Sequence, residues 1–351
     1  MPEIRPGHVI LFGSGETSAS GGQAFEWLVR RRADRPRIAI LETPAGFELN
    51  SAQVAGRVAD FLRRRLQNEA PEIAIIPARK RGTPFSPDDA VLLGPLLHAN
   101  LIFAGPGSPT YAVRQLQDSR AWHSLTARHR LGADVVLASA TTTAAGTHVL
   151  PVYEIYKVGE DPHWRPGLDF FGAYGLALTI IPHWNNAEGG ADLDTSRCFM
   201  GQARFEQLRA LLPHGTTVLG IDEHTALAMD FVTARCAVMG RGGVTVVKAG
   251  QEQYFSSGQD FSLTRLGAFQ LPERSEGLPA DVLEEAWAAQ TETDVARPLP
   301  PHEVIALVEE RQAARARRDW TTADGLRRQI AEAGWNVQDT PDGPRLEPQP
   351  T

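Results

Sequence analysis

Short apolar runs of β type recur between Val9 and Leu137: Val9 to Phe12, Arg37 to Leu41, Ile73 to Ile76, Leu101 to Phe103 and Val135 to Leu137. Longer stretches with helical spacing, such as Val54, Val58, Phe61 and Leu62, separate them. A strand that returns to its own sheet through a helix can only lie parallel to the strand before it. The alternation therefore predicts an α/β protein with a doubly wound, mostly parallel sheet, whose ligand sites lie at the carboxyl ends of the strands. With 42% hydrophobic and 22% charged residues among 351, the chain can bury a full core and is long enough for two domains.

Beyond Leu137 the runs Leu176 to Ile181 and Thr217 to Ile221 read as further strands. Ala226 to Asp230, Cys236 to Met239 and Val244 to Val247 read as short antiparallel strands closing one side of the sheet. The composition divides the chain into an α/β domain over 1–257, a linker with a short helix near Val282 to Ala289 over 258–300, and a module over 301–351. In that last part Ala323, Leu326, Ile330 and Ala333 share one helix face, which Thr321 and Asp324 can cap and Gly334 can end. A partner helix from Glu303 to Arg318 completes a small helical hairpin.

A formal net charge of −7 opposes general attraction to nucleic acid or anionic membranes. Cys198 and Cys236 are the only cysteines, with no spacing for a disulfide framework or a thiolate zinc site. The apolar run before Gly13 is too short for a signal-peptide core, and no stretch reaches the length of a membrane span, so the expectation is a cytoplasmic protein with no membrane partner. The loop Gly13 to Glu16 (GSGE) lacks the third glycine and the spacing of a dinucleotide fingerprint, and no cofactor is expected.

The chemistry centres on Ala133 to Gly146, ADVVLASATTTAAG. A strand runs into small residues around Ser139 and then into a helix start, the layout that exposes a serine Oγ beside free backbone N–H groups. A second loop, Ala104 to Tyr111 (AGPGSPTY), lets backbone approach a ligand at Gly105 and Gly107, while Pro106 has no N–H to give. Candidate partners follow at later strand ends: His183, then Asp222 or Glu223. His224 competes with His183 as base, His148 lies too near Ser139 in sequence, and His163 falls in an irregular stretch. A metal set of His183, Glu188, Asp192 and His224 has no tight ligand spacing to support it, and no metal is expected.

On GSGE, AGPGSPTY, ASATTTAAG, IPHW and GIDEHTAL, the span from Val9 to Val247 resembles the cyanophycinase and dipeptidase E (S51) serine peptidases, whose fold is similar to class I glutamine amidotransferases. The resemblance implies Ser139 as nucleophile, His183 as base, Glu223 as orienting acid, and an oxyanion hole from the N–H groups of Gly107 and Ala140 beside Gly105. It also implies small, aspartyl-containing peptide or amide substrates, whose carboxylates Lys157, Arg165 or Arg197 could meet. The family's elbow has glycine two residues either side of the serine, where this chain has Leu137 and Thr141, which predicts a relaxed or differently packed turn. The alternative is a non-catalytic ligand-binding protein on the same fold, using Trp184, Asn185 and Asn186 for stacking and amide hydrogen bonds. A Ser139 Oγ to histidine nitrogen distance of about 3 Å would favour hydrolysis.

The final segment, from IALVEERQ through DTPDGPRL, resembles the extreme C-terminus of cysteinyl-tRNA synthetases, without that enzyme's catalytic signatures or zinc cysteines. Arg311, Arg315 and Arg318 fall at helical spacing and predict a local cationic stripe for an RNA or protein partner. The sequence leaves homo-oligomerisation open.

Overall fold

The computed structural model describes residues 5–32, 34–296, 300–340 and 343–349. Its strands are β1 Val9–Phe12, β2 Arg37–Leu41, β3 Glu72–Ile76, β4 Leu101–Ala104, β5 Asp134–Ala138, β6 His148–Val149, β7 Arg165–Pro166 and β8 Leu178–Ile181. They continue with β9 Thr217–Ile221, β10 Thr225–Asp230, β11 Arg235–Gly240, β12 Gly243–Lys248, β13 Gln251–Ser256, β14 Asp260–Ser262, β15 Trp335–Thr340 and β16 Gly343–Pro348. The chain forms two compact units: the described residues through Glu26 with Pro36–Gln290, and Trp27–Arg35 with the described residues from Thr291.

In the first unit eight strands run in the order β14-β11-β10-β1-β5-β4-β2-β3. The β1, β5, β4, β2 and β3 neighbours are parallel, and β10, β11 and β14 join antiparallel at one side. A second sheet, β13-β12-β9-β8, has β8 parallel to β9 and the rest antiparallel. Alternating residues of the large sheet, among them Val9, Leu11, Val135 and Leu137, share one core with Leu178, Ile180, Leu219 and Val244 of the second sheet. The opposite face carries Phe12 and Phe103, both in ring contact with Phe25.

Two expectations change. The run Val244 to Val247 does not close the large sheet but pairs with β9 in the second one. Both β9 and β12 are apolar runs buried along almost their whole length, so hydrophobicity alone does not say which sheet they join. The stretch read as a linker from 258 supplies β14 and a helix over Ala280–Ala296, whose Val282 and Ala286 pack on Ala127 within the first unit. Among the described residues no helix is long and apolar enough to cross a membrane.

The second unit holds helices His302–Ala316 and Trp320–Glu332 and the antiparallel pair β15 and β16. The expected helical hairpin is present with a β-hairpin added. Its cap is Asp319, whose side chain accepts from the Thr322 N–H, rather than Thr321 or Asp324. Val304, Val308, Ile330, Trp335 and Val337 form its core.

Candidate active site

Three loops meet because β1, β5 and β4 are adjacent and parallel, so their carboxyl ends face the same way. They carry Gly13 to Glu16, Ser139, and Gly105 to Ser108. The other two site loops come from the second sheet: His183 follows β8, and Asp222 and Glu223 follow β9, in the turn where the chain crosses to β10 of the large sheet. Hydrogen bonds stitch the two sources together: His183 N–H to Gly13 O at 3.3 Å, Gly13 N–H to Thr225 O at 3.0 Å, and His224 N–H to the Ser14 hydroxyl at 3.1 Å.

Ser139 Oγ lies 3.0 Å from His183 Nε2, and His183 Nδ1 lies 3.0 Å from Glu223 Oε1. Asn186 Nδ2 donates to the same Glu223 oxygen at 2.9 Å, and the Glu223 N–H donates to Asn185 Oδ1 at 2.8 Å. Burial works to raise the Glu223 carboxyl, but the hydrogen bonds from His183 and Asn186 prevail and hold it below its ordinary value. An ionised carboxylate only accepts, so the His183 proton sits on Nδ1 and Nε2 is free to accept from Ser139.

Asp222 turns the other way. Its Oδ2 accepts from the Gly243 N–H at 2.9 Å and from the Tyr254 hydroxyl at 3.2 Å, and burial raises its carboxyl. His224 approaches the Gly13 to Glu16 loop instead of Ser139. Cys198 is no rival nucleophile, because burial pushes its thiol up to about 12.

The elbow keeps its strain. Ser139 has φ 49° and ψ −104°, a conformation that costs about 1–3 kcal/mol for a residue with a Cβ. Leu137 and Thr141 therefore do not relax the turn. Thr141 Oγ1 donates to Gly105 O at 2.8 Å, tying the elbow to the neighbouring loop, and Thr142 Oγ1 donates to Leu137 O at 2.9 Å and Phe12 O at 3.1 Å. Gly107 has φ 150°, and a Cβ there would stand 2.0 Å from Pro44 O. The N–H groups of Gly107 and Ala140 donate to no acceptor among the described residues, so both are available to a ligand oxygen.

Several expected ligand contacts are used otherwise. Trp184 is 4% exposed, stacked edge-on with Phe205 and covered by the Arg197 guanidinium, so it belongs to the core and offers no stacking face. Gly220 in β9 makes room for its ring. Arg197 also donates to Trp184 O, which spends it structurally. Asn185 and Asn186 hold Glu223. Lys157 is exposed and lies over the Tyr156 ring. Arg165 stands 3.8 Å from Glu154 and 3.7 Å from Glu160 on the wall of a cavity of about 630 Å³ that begins at Ser108. Among the described residues no group of three or more His, Cys, Asp or Glu could hold a metal, so His183, Glu188, Asp192 and His224 do not converge.

The residue that sequence reasoning passed over is Glu16. Burial lifts its carboxyl, opposed first by a backbone hydrogen bond and then by the nearby His183 and His224. Its position directly after the first parallel strand, at a sheet end where ligands bind, is the signal that could have found it.

The fold is α/β, and at its strand ends a serine, a histidine and a glutamate stand in line. A peptidase from an acI-B1 actinobacterium, known from its crystal structure, has this fold: TM-score 0.59 at 22% identity, over 74% of this chain and 98% of that one. Residues 297–344 match the family model of the cysteinyl-tRNA ligase anticodon binding domain. The cysteine–tRNA ligase of Streptomyces coelicolor is 33% identical over 102 residues, 29% of this chain and 16% of the ligase. That of Opitutus terrae is 54% identical over 48 residues, 14% of this chain and 10% of the ligase. The chain thus spans a small fraction of the ligases it matches.

Proposed function

We propose that the first unit is a serine hydrolase that cleaves a small, aspartyl-containing peptide or amide. The observation that carries this reading is the unbroken line from Ser139 Oγ through His183 to Glu223, with both contacts at 3.0 Å. His183 Nε2 takes the Ser139 proton as Oγ attacks the carbonyl carbon, and Glu223 stabilises the imidazolium so formed. The negative charge that develops on the carbonyl oxygen is met by the Gly107 and Ala140 N–H groups. His183 then returns the proton to the departing amine, and water repeats the sequence to release the acyl group. The asparagines and the tryptophan that could have served a pure binding protein are engaged in holding Glu223 and filling the core. Two free, buried cysteines accord with a cytoplasmic setting.

The test is labelling by a fluorophosphonate probe together with turnover of aspartyl dipeptides. Both are expected in the native chain and absent in Ser139→Ala. A folded native protein that neither labels nor turns over would remove the hydrolase reading.

For the second unit we propose contact with RNA, on the strength of the anticodon-binding match and of its exposed groups. Trp320 is 56% exposed and can stack a base, with Arg317, Arg318, Arg327 and Arg328 exposed on the same helical pair. Of the stripe expected from Arg311, Arg315 and Arg318, Arg311 and Arg315 pair with Asp339 and Arg311 is buried, which leaves Arg318 exposed. Binding of tRNA that weakens with salt and with Trp320→Ala is the expected result. No salt-sensitive binding would exclude it.

A further inference from the structure

The base is held by a stretch of backbone that a chain adopts only under constraint. Arg197, Cys198 and Phe199 follow one another at φ 56°, 57° and 68°, three left-handed residues in a row, each with a Cβ. Every such residue is costly, and a run of them persists only where the surroundings dictate it. Here the surroundings are the base and its neighbour: the Cys198 N–H donates to His183 O at 3.1 Å, and the Arg197 N–H donates to Trp184 O at 2.9 Å. The Arg197 guanidinium donates to the same Trp184 oxygen, and the Cys198 side chain is buried. The third side chain of the turn is used differently. Phe199 is only half-buried, and its ring centroid lies 6.2 Å from that of His183 and 5.2 Å from that of Tyr156. The strained turn thus sets an aromatic ring beside the base without closing it off.

We propose that Phe199, backed by Tyr156, is a specificity-determining residue that selects substrates whose leaving residue carries an apolar side chain. The proposal rests on the hydrolase reading. In that reading His183 Nε2 returns its proton to the departing amine, so what flanks the His183 ring flanks the residue that leaves. Phe199 and Tyr156 pack on the apolar cluster of Ile155 and Cys198, and neither is in the wall of the cavity that begins at Ser108. Lys157 Nζ already lies over the Tyr156 ring at 4.8 Å, so Phe199 is the ring that meets the ligand and Tyr156 the one that supports it. An apolar side chain laid on Phe199 takes surface of both groups out of water, and a glycine in its place forgoes that gain. A ring that only shielded His183 from water would act on every substrate alike, whereas one that meets the leaving residue changes the ratio between substrates.

The experiment uses full-length Ser139→Ala, which binds without turnover, and calorimetry with aspartyl-phenylalanine and aspartyl-glycine. The first is expected to bind about tenfold or more tighter than the second. Adding Phe199→Ala should bring the two within about threefold of each other. Adding Tyr156→Ala, which leaves the left-handed turn untouched, should also narrow the ratio, and adding Phe199→Leu should keep most of it. Saturable binding of neither dipeptide, equal binding of both, or a ratio that survives Phe199→Ala would overturn the proposal. If the ratio behaves as expected but native protein neither labels with a fluorophosphonate nor turns over, the hydrolase reading falls and the aromatic face stands. Turnover of both dipeptides at equal kcat/KM gives the reverse.

Discussion

Two carboxylates follow one another after β9, and only the second faces His183. The alternation of side chains at a strand end sends Asp222 back toward Gly243 and Tyr254 and Glu223 out to the histidine. Glu223→Gln should therefore lower kcat by about 10²–10⁴, as loss of the group that fixes the base's tautomer does, while Asp222→Asn acts mainly on stability. The pH dependence follows from the direction of the Glu223 shift. Its folded carboxyl titrates below the ordinary 4.5, so the stability it adds is complete above that value and is lost as pH falls through the lower folded value. Acid unfolding followed by circular dichroism should show this component in the native chain and not in Glu223→Gln, and equal activity losses in the two variants would contradict the assignment. At this scale Ser139 and His183 were legible because each follows a recognisable β-type run, whereas the residues left Asp222 and Glu223 open and only the family resemblance pointed to Glu223. Trp184 was not legible, since an aromatic residue at a strand end reads the same whether it faces a ligand or Phe205. Glu16 hid behind the more familiar question of whether GSGE binds a nucleotide.

Between elements, the chief device is the bond from Thr141 to Gly105, which couples the elbow after β5 to the loop after β4. A position where glycine would only permit the turn here carries a side chain that also holds the Gly105 to Ser108 loop in place. On the other side that loop is pressed against the Thr43–Ala45 turn: Ser108 N–H donates to Pro44 O at 3.0 Å, and Gly107 has no room for a Cβ. Gly107→Ala must displace this backbone. It is expected to lower kcat by about 10² or more through the misplaced N–H, with a smaller change in KM and a lowered melting temperature. Steady-state kinetics that show KM alone affected would mean the Gly107 N–H does not meet the reacting oxygen. The parallel strands themselves were legible from hydrophobic runs of strand length. Their division into two sheets was not, because it depends on the long-range pairing of β8 with β9 and of β9 with β12, which leaves no local mark on equally buried segments.

At the scale of the whole chain, every residue of the relay lies in the first unit, while the second unit groups Thr291 onward with Trp27–Arg35. The second unit has its own core and its own buried clamp, Arg311 donating twice to Asp339 at 2.8 Å. The change of composition after Pro301 marked this unit, but its inclusion of Trp27–Arg35 could not be read from sequence, since the grouping joins segments far apart in the chain. A chain ending at Gln290 keeps all the loops that carry Ser139, His183, Glu223 and Gly107, so its kcat/KM should stay within about threefold of the native value, the range expected when no contact to the reacting groups is lost. Its melting temperature should fall, because Trp27–Arg35 loses the rest of its unit. Turnover and scanning fluorimetry on the same preparation separate the two effects. A truncated protein that melts cooperatively but turns over far more slowly would mean that the second unit acts on the site itself.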